Sequence, residues 1–236
     1  MTSELSGATF TRDLTEWYRS NGRSFPWRQT RDPYRILIAE ILLQRTPYWK
    51  VLPAYEALLL RAPTPAALSR VAAPELEPIV RPLGLITRAQ ALVQLGRTLV
   101  ERHGGIVPRE FNDLLQLPGV GRYSASAVRC HAFGVAEPLV DGLTGRVYRR
   151  LLGLEGAAQP HADKALWSAV AAVQPRNPSQ FHLAMIDLAS LICRRGRPLC
   201  ASCPLAAACL SHSNVARVCG ASVRRDHGRS HPHSGR

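Results

Sequence analysis

Four cysteines set the tightest constraint on what this chain can fold into. Cys193, Cys200, Cys203 and Cys209 follow the spacing C-x6-C-x2-C-x5-C, while Cys130 and Cys219 stand apart. Thiols crowded into one short loop are held together by disulfides, by one tetrahedral ion or by a metal cluster. Disulfides suit an oxidising compartment. The first ten residues carry Glu4 and no basic stretch ahead of an apolar one, so no secretory signal is read there and a cytoplasmic protein with reduced thiols is expected. Structural zinc sites usually pair two C-x2-C knuckles, and only Cys200 and Cys203 form one here, so zinc stands open beside a cluster.

The remainder of the chain reads as helix. Apolar residues recur at helical spacing, no segment alternates with period two for long enough to make a sheet, and no apolar run reaches the roughly 18 to 20 residues of a membrane span. An all-α fold is expected. Asp32 and Pro33 make an N-cap and first-turn pair ahead of YRILIAEILLQR, a helix apolar on nearly every side and therefore central. Further helices are predicted over 55–61, 74–80, 87–103, 110–115, 161–173 and 180–192, the last delivering Cys193 at its end. Val147, Leu151 and Leu154 mark another. Residues 211–236 are rich in Ser, His, Arg and Gly, which predicts a disordered basic tail.

The charge pattern points to a polyanion. The formal net charge is +13, carried almost wholly by arginine, with Lys50 and Lys164 the only lysines. Between two helical patterns lies LPGVGRY, residues 117–123, whose Gly119 and Gly121 suit a tight helix-hairpin-helix turn. The second helix opens at about Arg122, and its free N–H groups could receive a phosphate without reading sequence. Arg194, Arg195 and Arg197 lie between the first two clustered cysteines and would present guanidinium groups to phosphate. Taken singly, the hairpin is also an ordinary helix–helix turn and the arginines a solvated loop.

Together these segments carry more. The order LPGVGRYSASAV, LVDGLTGRV, FHLAMIDLASLIC and then the cysteine loop resembles the helix-hairpin-helix DNA glycosylases of the endonuclease III and MutY type, from FPWR at 25–28 through Cys209. The resemblance implies a [4Fe-4S] cluster on Cys193, Cys200, Cys203 and Cys209. It implies a nucleoid-associated monomer whose partner is double-stranded DNA holding a mismatched or damaged base. The fold it implies has two helical lobes with the active-site cleft between them: a six-helix barrel over 35–141, with the helix-hairpin-helix at about 110–132, and an iron-sulfur lobe made of 1–34 and 142–210. It also implies DNA contacts for Leu117, Pro118, Gly119, Val120, Gly121 and Arg122 of the hairpin, and for Arg45, Arg194 and Arg195. Gln44 would fill the gap left by a flipped base, with Leu85 wedging beside it.

The same resemblance assigns chemistry. Asp141 alone reads as a helix N-cap. The matching carboxylate of the superfamily faces the sugar of an extruded nucleotide, where it can stabilise developing positive charge and orient water. Glu40 lies in the apolar central helix, where desolvation should raise its pKa and fit it for proton transfer. Its match in MutY-type enzymes protonates adenine. Tyr123 stands where bifunctional relatives carry a Schiff-base lysine, which implies a monofunctional glycosylase with little or no strand cleavage. Leu143 replaces an asparagine usual two residues beyond the aspartate. Tyr123 and Leu85 follow the thymine-mismatch pattern, and a second domain of the MutY kind is not expected after the cysteines. Thymine or uracil opposite guanine is therefore the first expectation, adenine opposite guanine or 8-oxoguanine the second, and DNA binding without catalysis the third.

Overall fold

The computed structural model describes residues 7–84, 87–156 and 159–212; Leu85 and residues 213–236, nearly all of the expected tail, lie outside them. Among the described residues the regular structure is helical throughout. The α-helices are α1 (Gly7–Asn21), α2 (Pro33–Leu43), α3 (Tyr48–Arg61), α4 (Pro65–Arg70), α5 (Ala73–Val80), α6 (Thr87–His103), α7 (Phe111–Leu115), α8 (Arg122–Phe133), α9 (Thr144–Leu152), α10 (Lys164–Val173) and α11 (Pro178–Leu191).

Helix α2 is the centre of the first core. Asp32 Oδ1 accepts from the amides of Tyr34 at 2.8 Å and Arg35 at 3.2 Å, and Pro33 occupies the first turn. Ile36, Leu37, Ile38, Ala39, Ile41 and Leu42 are all buried, and the helix packs against both α3 and α8. Helix α3 starts at Tyr48, well before the expected 55, and runs through Pro53. A proline there forfeits one helical hydrogen bond, and burial of Val51, Ala54, Tyr55 and Leu58 offsets it. Helices α1 and α4 were not expected from spacing. The second is too short to show a period, and it forms because Thr64 Oγ1 accepts the Ala67 amide at 3.1 Å with Pro65 behind it. It lies so close to α6 that a β-carbon on Gly96 would come 2.6 Å from the Ser69 nitrogen.

Two apolar cores result. The first runs from Phe25 and Trp27, ahead of the expected boundary at 35, through Val128. The second joins Phe10 and Leu14 of α1 to Val140, Val147, Tyr148, Trp167, Phe181, Met185 and Leu205. Helix α11 packs on α1 and α9 within the second core and also touches α8 of the first.

One buried carboxylate ties the two together. Asp187 of α11 has no solvent exposure. Its oxygens accept from the Arg23 amide at 2.7 Å, Arg23 Nε at 2.9 Å and Nη2 at 2.6 Å, and from Arg28 Nη1 at 2.9 Å and Nη2 at 3.0 Å. Burial alone would raise its pKa, but the bonds and charges of Arg28 and Arg23 hold the carboxyl below the usual range. Arg28 also donates to the Arg23 carbonyl and lies 4.9 Å above the Phe25 ring, so the charged cluster is seated on the first core. Asp187→Asn strands a buried guanidinium against a neutral amide. It is expected to lower the unfolding free energy in urea by about 3–5 kcal/mol, and a loss below about 1 kcal/mol would refute that role.

Candidate active site

Between the two cores opens a cleft of about 1320 Å³. Its walls bring together Glu40 of α2, Gln44 at the C-cap of that helix, Arg45, the hairpin from Gly119 through Tyr123, Asp141, and Ile186 and Ser190 of α11. Glu40 is only partly exposed at the cleft, and its environment is protonating. Burial raises its pKa to about 8, the nearby Asp141 charge adds to the rise, and Arg28 opposes it. Tyr123 remains a neutral phenol, because burial and then the charges of Glu40 and Asp141 push its pKa well above the ordinary value.

Asp141 is held as a cap and still has an oxygen to spare. Oδ1 accepts from the Leu143 amide at 2.9 Å, the Thr144 amide at 2.7 Å and the Thr144 hydroxyl at 2.8 Å. The Asp141 amide donates back to Thr144 Oγ1 at 3.0 Å, so the carboxylate is fixed before α9 begins. Among the described residues Oδ2 has no hydrogen-bond partner. The N-cap occupies Oδ1 alone and leaves Oδ2 available at the cleft that Asp141 lines. Leu143 is exposed at the cleft edge and supplies only its backbone amide to the carboxylate.

The hairpin contributes backbone more than side chains. Leu117 and Val120, expected at a DNA contact, are only 2 % and 9 % exposed and their side chains belong to the first core. Their side chains therefore anchor the turn, and contact at these positions is left to the main chain. Pro118 is half-buried, Gly119 and Gly121 are exposed, and Gly119 takes φ 79, the left-handed conformation that favours glycine. No side chain caps α8 at Gly121, so its first amides stay open to an anion. Gln44 Nε2 donates to the Gly119 carbonyl at 2.7 Å, coupling the end of α2 to the turn. Arg122 lies 4.0 Å over the Trp167 ring of α10, reaching across the cleft.

Arg194 and Arg195 are exposed beside a second opening of about 490 Å³ that also takes in Asp141 and Arg146. Arg150 donates to the carbonyls of both, at 2.9 Å and 3.3 Å, and to Cys193 Sγ at 3.4 Å. Arg146 donates to the Cys193 carbonyl at 3.0 Å and the Ala189 carbonyl at 2.8 Å. All four clustered cysteines are free thiols, and Cys193, Cys203 and Cys209 pack against the second core. Burial pushes the Cys203 thiol up to about 11, with Cys193, Cys209 and Cys200 adding to the rise. The Cys209 thiol is raised as well, again by burial first and then by its neighbours, and a cation would offset that penalty on the Cys203 and Cys209 thiolates. Among the described residues no three His, Cys, Asp or Glu side chains are drawn around one ion position.

Arg28, His131, Arg146 and Arg150 were not identified from sequence. His131 Nδ1 lies 2.9 Å from Ser179 Oγ, joining α8 to α11 at the cleft wall, and burial pushes its pKa down to about 3 with the His182 and Arg28 charges assisting. Arg28 and Arg146 lie within the segments FPWR and LVDGLTGRV, but spacing alone gave neither a role, and His131 and Arg150 lie outside the motif segments.

The arrangement has counterparts among known proteins. The family model described as HhH-GPD superfamily base excision DNA repair protein matches residues 38–172. The chain is 40 % identical over 209 residues to the thymine-DNA glycosylase of Aeropyrum pernix, an overlap that spans 86 % of this chain and 94 % of that one. A solved thermostable thymine-DNA glycosylase superposes with a TM-score of 0.82 at 32 % identity, covering 88 % of this chain and 97 % of the other. An endonuclease III trapped in a covalent intermediate with DNA superposes with a TM-score of 0.75 at 26 % identity, covering 90 % and 99 %. The chain therefore belongs to the HhH-GPD superfamily of base excision DNA repair proteins.

Proposed function

We propose that this DNA glycosylase removes thymine or uracil opposite guanine by hydrolysis and leaves the DNA strand intact. The observation that carries the reading is Tyr123 at the cleft wall, electrostatically coupled to Glu40 and Asp141, in a cavity that no lysine lines. Without an amine there is no Schiff base, and water is the remaining nucleophile. The thymine-DNA glycosylase named above supports the pyrimidine substrate.

The residues supply each part of the reaction. An extruded nucleotide enters the cleft with its sugar toward Asp141. As the N-glycosidic bond breaks, Asp141 Oδ2 faces the positive charge on the sugar while Oδ1 stays bound to the Leu143 and Thr144 amides. Glu40, protonated at neutral pH, donates to the departing base, and water forms the new bond to the sugar and gives up its proton to solvent, from which Glu40 is reprotonated. The Leu143 side chain, where relatives hold an amide, takes no part in orienting that water. Gln44, Arg45 and Arg122 address the duplex around the gap, with backbone amides of the hairpin and the exposed Arg194 and Arg195 on phosphate.

Three measurements test this. Duplexes bearing G:T, G:U, G:A and 8-oxoguanine:A, incubated with the protein and then treated with alkali, should break at the thymine and uracil strands, with no borohydride-trapped adduct. Cleavage confined to adenine strands would replace the reading with the adenine one, which Glu40 also fits, and base release from none would leave DNA binding alone. The single-turnover rate should be flat below about pH 8 and fall about tenfold per pH unit above it, as the Glu40 proton is lost. Glu40→Gln should reduce the rate by about 100-fold or more and abolish that dependence. Because the folded pKa lies above the ordinary 4.5, stability also declines from that pH up to about 8, and the glutamine variant should lack this slope.

Cys193, Cys200, Cys203 and Cys209 are proposed as the residues that would hold a [4Fe-4S] cluster, which would brace the Arg-bearing loop. Purified protein should absorb near roughly 400 nm and contain iron and sulfide. Zinc without that band would overturn the assignment.

A further inference from the structure

Arg88, in the first turn of α6, is only 5 % exposed, yet its bonds reach no carboxylate. They all run to the far end of α2. Nη1 donates to the Leu42 carbonyl at 3.1 Å and the Thr46 hydroxyl at 3.0 Å, and Nη2 donates to the Gln44 carbonyl. Thr46 Oγ1 donates in turn to the Gln44 carbonyl at 3.1 Å. The last carbonyls of a helix have no partners within it and form its negative dipole end, so a buried cation is stabilised there without an acid.

What this fork encloses is unusual. Arg45, between two of the bonded residues, has φ 56 and is the sole non-glycine residue with positive φ among those described. An L side chain holds that conformation only where its surroundings over-determine it. The strained residue is exposed at the cleft rim, and its neighbour Gln44 donates to the hairpin carbonyl of Gly119. Buried Arg88 thus fixes the one turn that joins α2, α6 and the hairpin.

We propose that Arg88 is a positioning residue, holding the turn at residues 44–46 so that Gln44 and Arg45 meet the strand opposite the extruded nucleotide in a single preformed geometry. This rests on the substrate reading above. A lysine ammonium lacks the planar fork that spans two carbonyls and a hydroxyl, so charge alone does not replace it.

The test compares Arg88→Lys, Arg88→Met and Arg45→Gly in an Asp141→Asn background, which allows binding to be measured without turnover. Both Arg88 variants are expected to lose tenfold or more in affinity for a G:T duplex and less than twofold for a matched one. Trypsin should cut after Arg45 at least tenfold faster in them, since release of the fork frees the turn. Arg45→Gly should keep the melting temperature, because glycine takes positive φ freely, while losing G:T affinity. Parallel loss of matched and mismatched binding together with the melting temperature would reduce Arg88 to a structural residue and overturn the proposal. Unchanged G:T selectivity, or unchanged proteolysis at Arg45, would overturn it too. If the parent protein itself fails to distinguish G:T from matched DNA, the substrate reading falls, and the rate of cleavage at Arg45 decides by itself whether Arg88 holds the turn.

Discussion

The buried Asp187 is the constraint on which the rest of the structure depends. A carboxylate with no solvent contact must be fully satisfied, and five donors from Arg23 and Arg28 satisfy it. Those arginines flank Phe25 and Trp27, which are packed into the first core, while Asp187 belongs to the helix at the heart of the second. The ion cluster thus fixes how the two cores face each other, and the cleft between them takes its width from that setting. Arg23 and Arg28 are at the same time part of the cleft lining.

Electrostatics inside the cleft follow from that geometry. Arg28 spends its charge on Asp187 and only partly offsets the desolvation of Glu40 and Tyr123. Glu40 is left with a pKa close to neutrality, the range in which a side chain transfers protons efficiently in either direction. Asp141 faces the same space but carries strong local donors on one oxygen. Burial favours the protonated form of Glu40 while Asp141 is fixed by donors at its cap, and the proposed division of labour between acid and charge stabiliser rests on that difference.

Arginine serves as mortar here as much as bait for DNA. Arg88 braces the end of α2, while Arg146 and Arg150 bind carbonyls around Cys193. Their hydrogen bonds run to main-chain oxygens, the Thr46 hydroxyl and the Cys193 sulfur and to no carboxylate, which leaves net positive charge in place while ordering loops. The strong positive balance of the chain therefore overstates the number of free cations available to phosphate. Those at the surface of the cleft and cysteine loop, among them Arg45, Arg122, Arg194 and Arg195, are the ones positioned for a polyanion.

Much of this was legible in the residues alone. The apolar run of α2, the Asp32–Pro33 start, the hairpin glycines and the cysteine spacing are local signals, because helix periodicity, capping and left-handed turns depend on near neighbours in the chain. The rise in Glu40 pKa was also legible, since a carboxyl within an apolar helix is desolvated whatever packs on it. Tertiary structure decided what depends on distant partners. It buried Leu117 and Val120, making anchors of two hairpin residues that looked like contacts. It gave the Asp141 cap to Oδ1 alone, and it extended α3 through Pro53 because core burial outweighs one missing hydrogen bond. Above all it paired Asp187 with arginines some 160 residues away and Arg88 with the end of α2. A charged residue's sequence neighbourhood carries no record of its partner, since ion pairs and carbonyl forks form wherever the packed helices bring the groups within reach.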